Sequence, residues 1–459
     1  MKFRALLSAA LLLALPAFAA DELPDKPEYR TFTAANGKEI SAVVVDKTEK
    51  EVTFLLKSGQ RATVPLDKLS KEDQTFVKGW SKGKAIFLQK CRGLTVGQLL
   101  ELRGYESFPF RLENNSIAID AKINGVKAVL KVDTGAGTTT LHDAFLKEAG
   151  CELGPYDHKI YGVSGEAEAC WVTVPTITLG ESSFKNRRLS ATNMNLSLPE
   201  GAKRSDQGLL GADFLSQLDA VISYTERRIF LRPDLSDEST VENVEGSEEE
   251  TEEALSFRLF KMKDGKTLRG KIKAKTATNA TLTLSNGSEK TVFISNFVPT
   301  DASYIFNWSA SGALFLQHCR ALTIEELLEM RSYQSFEYER RGNHIFVDGT
   351  LNKQACTYMI DTGADSSCLN LEAAKAHGCD VGPMDQKVYG IGGFAPAAVT
   401  KIAELTMGDA VLTNRKVLST NLDRFEQGLD WVGLFGADFM RELDAVITYK
   451  ENRIFLRQK

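Results

Sequence analysis

The chain has 459 residues, about three domains at roughly 150 residues each. Its 43% hydrophobic and 25% charged residues suit folded soluble domains and exclude a fibrous or wholly disordered chain. Lysine and arginine number 56 against 61 acids, a net charge of −5, so no global basic excess points to nucleic acid.

In chain order, Met1 to Ala20 comes first. Lys2 and Arg4 precede the apolar run Leu6 to Leu15, and Ala17-Phe18-Ala19 forms an A-x-A box. The run is too short to span about 30 Å of hydrocarbon. The pattern predicts a cleaved signal peptide over 1–20 and a periplasmic or secreted mature chain without a membrane span. An uncleaved N-terminal anchor is the alternative.

Residues 28–80 predict a small antiparallel β unit ending in a helix. Ile40 to Val45, Val52 to Leu56 and Arg61 to Pro65 read as strands, with turns at Asn36-Gly37 and Ser58-Gly59. Over 81–107, Leu94, Leu99, Leu100 and Leu102 predict a helical connector of about three turns. From 108 to 232 the chain is strand-rich. Alternation over Ser116 to Val132 about Asn124-Gly125 predicts a hairpin, which runs directly into Asp133-Thr134-Gly135-Ala136.

The same order then repeats. Residues 85–108 recur at 313–336 with 15 of 24 positions identical, at an offset of 228. That offset takes Gly37 to Gly265, Trp80 to Trp308 and Asp133 to Asp361; near the end it falls to 225, taking Gly211 to Gly436. Between the copies, residues 234–255 carry 10 acids and no base, a composition that predicts a linker over 233–255. A second small β unit is expected at 256–308, a second connector at 309–335 and a second strand-rich domain at 336–459.

Each Asp-Thr-Gly follows an apolar strand and is answered downstream by an apolar-apolar-Gly-Ala element, Leu209 to Ala212 and Leu434 to Ala437. Midway lie Gly162-Val163-Ser164-Gly165 and Gly390-Ile391-Gly392-Gly393, each after a tyrosine. This constellation resembles the retropepsin-like aspartic proteases, especially their bacterial branch. The resemblance implies a mainly β fold with two acid-protease barrels and a peptide substrate. Asp133 and Asp361 would be the catalytic pair, Thr134, Gly135, Thr362 and Gly363 would brace the loops, and the two glycine-containing turns would be flap tips. Asp365 would contact substrate, although its counterpart is Gly137.

The chemistry explains the residue choice. One carboxylate activates water while a second supplies a proton, and two carboxyls in contact share a proton because they cannot both ionise. One copy supplies one Asp, so two copies must meet, within one chain as a pseudo-dimer or between two chains. A non-catalytic peptide-holding scaffold on the same fold is the other reading. The small β units resemble the first type of SLA-homology domain, an SH3-like barrel, through the Val64-Pro65-Leu66 and Leu69-Ser70 pattern; that family binds short peptides. The five histidines show no metal spacing, so neither metal nor cofactor is expected. The matched cysteines admit two states, disulfides Cys91–Cys151 and Cys319–Cys379 or four buried free thiols.

Overall fold

In the computed structural model, residues 29–80, 94–101, 103–197, 204–233, 258–284, 286–308, 322–408, 410–422 and 430–457 are described. The predicted signal peptide, all but the first residue of the acidic linker, and about half of each connector, with Cys91 and Cys319, lie outside them. Two compact units divide the chain at 99/100, 302/303 and 327/328.

The first unit holds a four-stranded antiparallel meander in sequence order, Arg30–Thr33, Glu39–Lys47, Glu51–Leu56 and Arg61–Pro65. Phe32, Ala42, Val44, Val52, Phe54 and Val77 form its core. The predicted strands are present, with an edge strand, Arg30–Thr33, too short to show alternation in the sequence. Ser70 caps the helix Lys71–Gly79 by accepting from the Asp73 amide. Asp73 is buried and takes hydrogen bonds from Arg30 Nη2 (2.9 Å) and the Thr33 amide (2.7 Å), tying helix to edge strand. The helix Val96–Glu101 opens with a reciprocal pair, Thr95 Oγ1 accepting from the Gln98 amide and Gln98 Oε1 from the Thr95 amide.

The second unit contains the copied meander, Arg258–Lys261, Thr267–Lys275, Asn279–Leu284 and Glu289–Phe293, with Asp301 repeating the role of Asp73 toward Arg258 and the Lys261 amide. Lys261 also reaches the first strand-rich domain, donating to the Glu181 carbonyl at 3.0 Å.

The two strand-rich domains follow one plan. In the first, Ser116–Ile123 and Val126–Asp133 form the predicted hairpin, with Asn124 (φ 49°) and Gly125 (φ 85°) making the turn. Ser116–Ile123 also pairs with the long strand Gly165–Leu179, which closes the sheet into a barrel. In the second, His344–Leu351 pairs with Gln354–Ile360 and with Gly393–Met407. A parallel strand from far along the chain lies beside each Asp-bearing strand: Gly208–Gly211 beside Val126–Asp133, and Gly433–Phe435 beside Gln354–Ile360.

A six-stranded sheet joins the halves. Its order is Gln334–Glu337, Arg453–Leu456, Val446–Thr448, Val221–Ser223, Arg228–Leu231, Glu106–Pro109. The seam is the antiparallel pairing of Val221–Ser223 with Val446–Thr448. Above it one continuous apolar core runs through both halves, including Ile119, Leu130, Leu210, Ile222, Ile345, Ile360, Phe435 and Ile447. The chain therefore carries two barrels of a duplicated fold, mainly β, sharing one core.

Two details bear on the sequence reading. Cys151 and Cys379 are free thiols packed among apolar side chains, the second of the two states expected for them; small apolar packing accounts for them without a cross-link. Asp213 and Asp438, acids in the first turns of the helices Ala212–Gln217 and Ala437–Glu442, also reach back to the segments that follow the Asp-Thr-Gly loops.

Candidate active site

Asp133 is the last residue of Val126–Asp133 and Asp361 directly follows Gln354–Ile360, each strand braced within its own half by the parallel strand beside it. Asp133 Oδ1 accepts from the amides of Gly135 and Ala136, both at 2.9 Å. Asp361 Oδ1 accepts from Gly363 at 2.9 Å and Ala364 at 3.0 Å. These bonds hold one oxygen of each carboxyl and leave the other for its neighbour. The two carboxyls face each other across the pseudo-two-fold axis, each lying against the glycine of the opposite loop.

The glycines are required by space. A Cβ on Gly135 would lie 2.5 Å from Asp361 Cγ, and one on Gly363 would lie 2.2 Å from Asp133 Cγ. Each glycine backbone passes directly beneath the opposite carboxyl, where no side chain fits.

The threonines cross. The Thr134 amide donates to Thr362 Oγ1 at 3.2 Å, and the Thr362 amide to Thr134 Oγ1 at 3.0 Å. Each hydroxyl passes its proton on to a strand carbonyl of the other half, Thr134 Oγ1 to Ile360 and Thr362 Oγ1 to Val132, both at 2.8 Å. Both threonines are fully buried, so every polar group in the cross is satisfied internally.

Behind each loop the Gly-Ala-Asp element forms a clasp. Asp213 Oδ1 accepts from the Thr139 amide (2.8 Å) and Thr139 Oγ1 (2.7 Å), and the Gly211 amide donates to that same hydroxyl at 3.0 Å. In the second half Ser367 takes the place of Thr139, with Asp438 accepting its hydroxyl at 2.7 Å and the Gly436 amide donating to it at 2.8 Å. The helix starts are thereby locked to the catalytic-type loops. Sequence reasoning missed this because an acid in the first turn of a helix already has a local explanation.

The glycine-containing turns are the tips of two long hairpins, Leu153–Gly162 with Gly165–Leu179 and Gln386–Gly390 with Gly393–Met407. Gly162 faces Gly165 and Gly390 faces Gly393, leaving Val163-Ser164 and Ile391-Gly392 at the ends. The tips meet. A Cβ on Gly162 would lie 2.8 Å from Ile391 Cβ, one on Gly390 2.6 Å from Val163 Cγ2, and Ser164 Oγ donates to the Val388 carbonyl at 3.4 Å. Between them and the dyad lies a cleft of about 910 Å³ lined by Gly135 to Thr138, Tyr161, Ile391, His344, Phe346 and Trp431, among others.

Asp365, expected to contact substrate, is held by the first half. Its carboxylate accepts from Ser116 Oγ and lies 3.4 Å from Lys131 Nζ, both in the first half. Its backbone carbonyl takes Asn115 Nδ2 at 3.0 Å. The matching contact on the other side, Asn343 Nδ2 to the Gly137 carbonyl at 2.7 Å, is kept, but the carboxylate is absent there and His344 fills the space.

Burial pushes the Asp133 carboxyl well above the ordinary carboxylate range, and the charge of Asp361 adds to the effect. Burial also raises Asp361, against the opposing hydrogen bond from Asp133, the two loop amides and the charge of His344. The pair therefore keeps a shared proton to higher pH than isolated carboxyls do. Among the described residues no group of His, Cys, Asp or Glu side chains could hold a metal ion.

Two family models match these regions: a gag-polyprotein putative aspartyl protease over residues 119–217, and an aspartyl protease over 347–439. Two retropepsin-like domains stand in one chain. Solved structures similar to it include a retropepsin-like aspartic protease from Rickettsia conorii (22% identity, 28% of this chain and 98% of that one, TM-score 0.22). An aspartic proteinase from Irpex lacteus is 11% identical over 77% of this chain and 97% of that one, with a TM-score of 0.37. The EIAV protease complexed with the inhibitor HBY-793 is 25% identical over 21% and 83%, with a TM-score of 0.17. No curated protein matches the chain.

Proposed function

We propose that this chain is an exported aspartic endopeptidase, active in a periplasm or outside the cell, whose single site takes Asp133 from one half and Asp361 from the other. The observation that carries the reading is the placement of each carboxyl against the glycine of the opposite loop, with the loops joined by the crossed threonines and two paired hairpin tips meeting above. In this mechanism the ionised carboxylate of the pair takes a proton from a water lying between Asp133 and Asp361, and the water attacks the peptide carbonyl. The protonated partner gives its proton to the carbonyl oxygen, and the resulting tetrahedral diol collapses as a proton passes to the leaving amine. The hairpin tips exclude solvent and hold the peptide extended over the dyad.

Asp133→Asn and Asp361→Asn are each expected to abolish cleavage of a denatured protein mixture, and a statine-type inhibitor is expected to bind one per chain by calorimetry. Full activity in either single variant overturns the shared site. Binding of unstructured peptide without cleavage by the native chain would favour the scaffold reading instead. The meanders at 29–80 and 258–308 fit, in this proposal, SH3-like units that hold short peptide segments near the cleft.

A further inference from the structure

The duplication relates each wall of the cleft to a counterpart, and the two walls have diverged. On one side stand Gly137, His344, Phe346 and Trp431. The offset of 228, or 225 late in the chain, takes these to Asp365, Ser116, Ala118 and Asp206. Met359, buried in one cluster with Phe346 and Trp431, corresponds to Lys131.

The two sides therefore offer a peptide different chemistry. Phe346 and Trp431 lie with ring centroids 6.3 Å apart, and the Arg341 guanidinium sits 4.7 Å over the Phe346 ring while pairing with Asp430 at 2.7 Å. Leu209 completes this apolar wall. Across the axis the equivalent space holds Asp365, Lys131 and Ser116 in mutual contact. At the position related to Trp431, Asp206 is buried and paired with Arg204 at 2.5 Å. An apolar side chain against Lys131 and Asp365, which are partly exposed, would strip water from that charged pair and return no hydrogen bond.

We propose that the cleft reads its peptide in one direction: a large apolar side chain enters the wall of Phe346, Trp431 and Leu209, and the residue at the related position across the cut is small or polar, against Ser116, Lys131 and Asp365. The inference rests on the endopeptidase reading for its cut but not for its binding. Two identical halves would accept a peptide equally well in either direction; these halves do not.

The test has two arms. Sequencing the ends produced when the full chain digests a protein mixture should show large apolar residues enriched about tenfold or more on one side of the cut only, the order of discrimination an apolar pocket supplies. Lys131→Met, alone and with Asp365→Gly, copies onto the charged side what the other half carries, and should admit large apolar residues on both sides. Equal enrichment on both sides in the native chain overturns the proposal, as does an unchanged profile in an active Lys131→Met variant. The second arm uses the Asp133→Asn, Asp361→Asn chain and two peptides of reversed order, Ala-Ala-Phe-Ser-Ala-Ala and Ala-Ala-Ser-Phe-Ala-Ala. A difference in Kd of about tenfold supports directional reading even where the native chain cuts nothing, which would sink the endopeptidase reading alone. Equal affinities overturn the proposal.

Discussion

The dyad stores a cost that depends on pH. Asp133 and Asp361 are both raised in the folded chain, first by burial. Over the interval between the unfolded and folded values the folded state binds more protons, so stability falls as pH rises through that interval. The contribution is fully present below the unfolded value and lost above the folded one. Asp133→Asn, which keeps the shape without the charge, should therefore melt higher than the native chain at pH 7 and at about the same temperature near pH 3.5, in paired calorimetric scans. For the reaction the same pair should give a bell-shaped rate with its maximum at about pH 4–6. Ala136 and Ala364 stand where a hydroxyl could add a hydrogen bond to the charged carboxylate. Ala364→Ser should move the bell down by about half a unit to one unit, read from kcat/KM against pH. No movement in the serine variant would mean that groups beyond the loop set the titration. Thr134→Val removes an acceptor from the buried Thr362 amide and a donor to Ile360; it should cost about 1–3 kcal/mol in urea unfolding.

At the scale of elements, the hairpins were the most legible part of the sequence. Ile117, Ile119, Ala121 and Ile123 alternate before Asn124-Gly125, and Val126, Ala128, Leu130 and Val132 after it, and the turn forms there. The second copy turns at Asn352 (φ 48°) and Lys353 (φ 69°); lysine gives no signal for a positive φ, so this turn could be read only by analogy with the first copy. The strands of the joining sheet, Val221–Ser223 and Val446–Thr448, are three residues each, too short for a period to show. Their partners are set by tertiary packing. The flap tips were legible as glycine-containing turns, whereas their contact with each other was not, because nothing local encodes it. That contact is sensitive to size: Gly390→Val would drive a side chain into Val163, whose Cγ2 is 2.6 Å from the modest Cβ position alone. The variant should splay the tips and raise KM about tenfold, with little change in melting temperature because the tips lie outside the shared core.

For the molecule as a whole, the crossed threonines, the six-stranded sheet and the common core make the halves one cooperative body. A chain cut between residues 233 and 258 leaves a first strand-rich half that exposes Ile222 and loses the pairing of Val221–Ser223. Expressed alone, such a half should be unfolded or self-associated in sedimentation experiments. The intact chain should show a specific activity independent of its concentration, down to the nanomolar range, because both carboxyls belong to one polypeptide. A steep fall on dilution would place the dyad between chains. The duplication itself was plain in the sequence. The divergence of the two cleft walls was not, because position 116 becomes a neighbour of position 365 only after the halves have met.

That late meeting has a consequence for synthesis. Asp133 leaves the ribosome long before the strand Val446–Thr448 that completes the joining sheet. The interval of 448 − 133 = 315 residues takes roughly 15 to 60 s at the ordinary pace of translation. Throughout that time the nascent first half carries one carboxylate of the pair and an open strand edge at Val221–Ser223. No complete dyad exists to act on the emerging chain or on its neighbours. The open edge, however, fits the second half of any other chain as well as its own, so crowding on one messenger should yield exchanged dimers whose sites are each assembled from two polypeptides.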